Sequence, residues 1–129
     1  MAARLLTIAA FALALVVAPV PSAFAHETAK GAKGGAVIDN AGHHVEFVPS
    51  ANEVTFFLSG NKDEPIASAG AKIKAIIQVG SNTTQLELTT AEPNKLVGKL
   101  PAALPSGAKV VVSGTLADGH TLQARFVVP

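Results

Sequence analysis

From Gly34 onward, apolar and polar side chains alternate with a period of two. His43, Val45 and Phe47 alternate with His44, Glu46 and Val48, and Val54, Phe56 and Leu58 with Glu53, Thr55 and Phe57. Ile73, Ala75, Ile77 and Val79 alternate with Lys72, Lys74, Ile76 and Gln78. Leu86 and Leu88 stand between Gln85, Glu87 and Thr89, and Leu122, Ala124, Phe126 and Val128 between Thr121, Gln123, Arg125 and Val127. Successive side chains of a strand point to opposite faces, so each segment predicts a strand with one apolar and one mostly polar face. Val110-Val111-Val112 reads as a more fully buried strand, and Gly34–Asp39 and Lys95–Leu100 bring the set to eight.

Turn chemistry separates these segments. Asn40-Ala41-Gly42, Ser59-Gly60-Asn61, Gly80-Ser81-Asn82, Pro105-Ser106-Gly107 and Asp118-Gly119 supply positive φ or bonding from side chain to backbone. No segment after residue 25 has helical periodicity. The pattern predicts an all-β fold, an immunoglobulin-like antiparallel β-sandwich of about 7–8 strands, with a small barrel as the alternative.

The beginning of the chain has a different character. Arg4 is the only charge before Glu27, an apolar run spans Leu5–Ala18, and Ala23-Phe24-Ala25 closes the segment. A positive start, a short greasy stretch and a small-x-small triplet make a secretory signal peptide, with a helix expected there and cleavage expected after Ala25. The run is shorter than the roughly 20 residues of a spanning helix, so no membrane span is expected once it is removed. The expected organisation is a signal peptide over 1–25, a flexible Gly/Lys lead over 26–35 and a sandwich over 36–129.

Composition narrows the classes of function. Beyond residue 25, nine Lys and Arg balance nine Asp and Glu, and no basic patch suggests nucleic acid as a partner. Cys, Trp and Tyr are absent, which excludes disulfides and thiolate metal sites and removes the aromatic platforms that bind sugars and single strands. No Gly-x-Ser-x-Gly elbow, His-Glu-x-x-His or phosphate-binding loop occurs, so an enzyme is not expected.

The remaining chemistry lies in histidines. If cleavage follows Ala25, the new terminal amine and the imidazole of His26 can chelate one Cu(II) ion, which favours nitrogen-rich tetragonal sites. The ten-residue lead extends up to roughly 33 Å and fixes His26 at no one place. Asp118 and His120 can present a carboxylate and an imidazole to one metal, or simply form a hairpin turn in which Asp118 caps the backbone. His44 and Glu46 share the polar face of one strand and could supply half a site; His43 lies on the opposite face, near the sheet end and only partly buried. A pair of solvated or hydrogen-bonded histidines is the favoured account of His43 and His44. Phe57 and Ile76, on outward positions, suggest a partner surface.

Gly34–Val37, Gly42–Phe47, Val54–Leu58, Gly107–Val112 and Gln123–Phe126 resemble a family of small exported β-sandwich proteins of largely unknown function. Similar stretches stand near the N-terminus of periplasmic adaptor subunits of heavy-metal efflux systems. The resemblance implies a periplasmic location and an accessory or binding role near metal efflux. The helical hairpin and lipoyl-like segments of a full adaptor are missing. Asp118-Gly119-His120 before the last strand, together with His26, also resembles the CopC-like copper-resistance proteins. That likeness implies a Cu(II) site of His26, Asp118 and His120.

These readings lead to an expected non-catalytic periplasmic accessory protein holding Cu(II) or Zn(II), with a metal-efflux or other envelope protein as partner. The alternative is a metal-free module that docks on another envelope protein through a sheet edge or the Phe57/Ile76 face.

Overall fold

The computed structural model describes residues 29–129. The expected signal-peptide helix, its expected cleavage point and His26 lie outside them. Among the described residues there are ten strands and no helix, hence none long and apolar enough to cross a membrane. The strands are β1 (Ala29–Lys30), β2 (Ala36–Asn40), β3 (His43–Pro49), β4 (Glu53–Gly60), β5 (Lys72–Val79), β6 (Asn82–Glu87), β7 (Thr89–Ala91), β8 (Lys95–Lys99), β9 (Lys109–Thr115) and β10 (Thr121–Val127). They form two antiparallel sheets, ordered β1-β2-β3-β4-β8-β7 and β10-β9-β5-β6. The expected β-sandwich is present, and eight of its strands have five or more residues.

Alternation decides which side chains become core. Val45 and Phe47 of β3 and Val54, Phe56 and Leu58 of β4 are buried against Ala75 of β5, Val110 and Val112 of β9 and Leu122, Ala124 and Phe126 of β10. Phe47, Phe56 and Phe126 form an aromatic triad across the sandwich, with ring centroids 5.1–6.0 Å apart. Such pairs add roughly 0.5–1.5 kcal/mol beyond the apolar area they bury.

Two elements depart from the alternation pattern. The single strand expected around Leu86 and Leu88 divides at Leu88, with β6 in the smaller sheet and β7 in the larger. Both leucines still pack on the core, so their parity conceals the crossing. Gly98 of β8 makes room for them, because a Cβ there would stand 2.5 Å from Leu86 Cδ2 and 2.9 Å from Leu88 Cδ2.

Residues 29–35, within the lead expected to be flexible, are held in place. Ala29 and Lys30 pair with Val37 and Ala36, and Gly31 N–H donates to the Gly35 carbonyl at 2.8 Å. The Glu46 carboxylate accepts the Lys33 and Gly35 amides at 2.8 and 2.9 Å. Backbone bonding and one buried carboxylate do here what apolar burial does elsewhere, which is why the absence of large apolar side chains suggested a free segment.

Two hairpins bring the functional candidates together. Ala41 and Gly42 both have positive φ, 52° and 85°, and join β2 to β3 in the two-residue turn whose twist suits a hairpin. Asp39 Oδ1 accepts the Gly42 amide at 2.9 Å and fixes that turn. Between β9 and β10, the Leu116 amide donates to the His120 carbonyl at 2.8 Å, and Gly119 takes φ 89°. β10 packs along β2 and β3, and the Gln123 amide donates to Asn40 Oδ1 at 3.1 Å. That bond joins β2 of the larger sheet to β10, an edge strand of the smaller, beside both hairpins.

Candidate metal centre

His43 is the first residue of β3 and shares the inward parity of Val45 and Phe47. Lying at the sheet end, it faces the β9–β10 hairpin rather than the packed core. Its ring centroid is 5.1 Å from that of His120, with the rings tilted by 46°. Asp118 completes the group. One potential ligand atom from each of His43, Asp118 and His120 lies within 4.8 Å of the others. The turn that sequence reading offered as the plain account of Asp118 is also real: Asp118 Oδ1 accepts the His120 amide at 2.9 Å. The capping bond aims the rest of the carboxylate at the imidazole, and Oδ2 lies 2.8 Å from His120 Nδ1.

The donor set suits a metal ion. Two imidazoles and one carboxylate match Zn(II) and Cu(II), whereas Cu(I) favours thiolates and thioethers, and this chain has no Cys and only Met1. His43 Nδ1 is buried and has no hydrogen-bond partner. A buried polar atom without a partner costs about 1–3 kcal/mol, so a ligand that engages it relieves a penalty already present. Asp118 and His120 are exposed, leaving the group open to solvent on one side.

The charges around Asp118 are consistent with this geometry. Its carboxyl is held below the ordinary value, first by the His120 amide, then by the hydrogen bond with the His120 side chain, with smaller contributions from the charges of His120 and His43. A depressed carboxyl contributes stability above its unfolded pKa and loses it as pH falls through the folded one. Carbon-detected NMR titration should therefore find Asp118 titrating below the ordinary aspartate value. His120→Ala should raise it only part of the way, because the backbone amide, the largest cause, remains.

The other candidates are placed elsewhere. His44 points outward, with Nε2 3.8 Å from Asp39 Oδ2 and Nδ1 3.8 Å from Asp63 Oδ1. Glu46 does not form half a metal site with His44. Its carboxylate is buried and holds the Lys33 and Gly35 amides, and a Cβ on Gly31 would collide with it. Phe57 and Ile76 do not make one surface, because they occupy the outer faces of opposite sheets. The ammoniums of Lys33 and Lys95 stand 5.5 and 6.0 Å from the Phe57 ring centroid, and Phe57 is half-buried.

His43 is the residue that sequence reasoning did not assign to the metal group. Its inward parity beside a turn was the available signal, but that signal does not identify what lies opposite. No family model, curated protein or solved structure matches this chain.

Proposed function

We propose that this protein is an exported, non-catalytic metal-binding accessory protein of the periplasm, acting beside heavy-metal efflux and holding Cu(II) or Zn(II). The observation that carries this reading is the meeting of His43 with Asp118 and His120, from hairpins of different sheets; His43 also holds a buried nitrogen, Nδ1, that has no hydrogen-bond partner. The direction of β1 supports His26 as a further donor. Ala29 pairs with Val37 and Lys30 with Ala36, so the first residue of β1 faces toward the Asn40 end of β2, where the hairpin leads to His43. His26 precedes Ala29 by three positions, a span of up to about 10 Å.

The interaction-module alternative is less well supported. Its proposed apolar face is divided between two sheets, and its aromatic residue is flanked by two lysine ammoniums. Metal is thus the better-supported ligand.

The deciding experiment titrates the natively exported, mass-verified protein with Cu(II) and separately with Zn(II) against a competing chelator, with EPR on the copper form. One equivalent bound, with hyperfine structure from more than one nitrogen, is the expected result. Binding no tighter than that of an isolated surface histidine would end the metal reading.

A further inference from the structure

The outer face of the larger sheet carries a groove of about 670 Å³, within the range of small-ligand sites. Cross-strand register arranges its floor in two rows. Val37, Glu46, Phe57 and Lys95 stand side by side across β2, β3, β4 and β8, and Asp39, His44 and Ser59 form the next row across β2, β3 and β4. The rows are two residues apart along each strand, roughly 6.8 Å.

Charge is divided between the two rows. At the first, Lys33 and Lys95 place their ammoniums beside the Phe57 ring, and neither has an ion pair among the described residues. Glu46 lies at the same row, but its buried carboxylate is already engaged by two backbone amides. At the second row, Asp39 and Asp63 flank His44, and the Asp63 side chain is 93% exposed. The groove is therefore dipolar, with Lys33 and Lys95 beside the Phe57 ring at one end and two carboxylates at the other, and Lys30 also lines it.

We propose that this groove binds a short peptide with free termini, its carboxylate on Lys33 and Lys95 and its ammonium on Asp39 and Asp63. Length selects the ligand. Two extended residues span about 7 Å, matching the spacing of the rows, whereas a single amino acid is too short to reach both ends and a tetrapeptide overshoots. An apolar side chain on the peptide lies against Phe57. The pocket is separate from the metal centre, because His43 and His44 are neighbours on β3 and face opposite sides of the sheet.

The test is an amide NMR titration of the ¹⁵N-labelled protein with the dipeptide alanyl-leucine, its N-acetylated form, its C-terminal amide, and free leucine. Saturable shifts at Phe57, Ser59 and Lys95 are expected with the dipeptide. Each blocked form and leucine should bind at least about tenfold more weakly, as expected for loss of one charge-assisted contact. Lys33→Ala with Lys95→Ala should weaken the dipeptide but not its amide, and Asp63→Asn should weaken it but not its acetylated form. Equal binding of free and blocked forms, shifts confined to other residues, or no saturation would each overturn the proposal. None of these results depends on metal binding.

Discussion

Replacing His43 with alanine will weaken Zn(II) and Cu(II) binding at least about 100-fold, the upper end of what loss of a mere outer-shell partner costs. His43 is the one residue of the group that is partly buried, and its Nδ1 is shielded from water with no hydrogen-bond partner. His44→Ala will leave the affinity unchanged, although the two residues are adjacent, because the strand turns them to opposite faces. Competition titration of the two variants beside the parent measures the contrast. Equal losses would mean that exposed imidazoles bind metal indiscriminately, and equal retention would remove His43 from the site.

The second large effect concerns the core. Phe56 is fully buried and packs on Phe47 and Phe126, so it joins β3, β4 and β10 across the sandwich. Phe56→Ala will cost about 3–5 kcal/mol. That is a large share of the roughly 5–15 kcal/mol that stabilises a domain of this size. Thermal unfolding followed by circular dichroism will show a fall in Tm of at least about 12 °C. Phe57→Ala, one position along and on the outer face, will cost no more than about 1 kcal/mol, since Phe57 is only half-buried and stands outside the core cluster. Similar losses at the two positions would mean that the inward and outward faces of β4 are misassigned.

Local alternation made most of the architecture legible. It placed Val45, Phe47, Phe56 and Phe126 inside and His44 and Phe57 outside, because a strand has only two faces. It could not show the crossing at Leu88, where the chain changes sheets without changing which side meets the core. Nor could it show β1, whose Ala-Lys pair has no apolar signal and is held by backbone bonds. The candidate site was half legible. Asp118 and His120 lie in one turn and could be read as a pair from their spacing. Their meeting with His43 depends on β10 lying beside β2, and strand order is a property of the whole chain that no local window contains.

The Asn40–Gln123 bond marks the seam where β2 of the larger sheet meets edge strand β10 of the smaller, and the candidate metal group lies beside that seam. Its donors are seventy-seven positions apart in the chain at their widest, His43 to His120. An unfolded polypeptide therefore has only scattered, weak ligands, and capture of an ion must wait until the second sheet has closed on the first. Binding energy gained at that moment becomes folding energy. Metal would act as a clasp fastened last, so the loaded protein should exchange its seam amides with solvent far more slowly than the empty one.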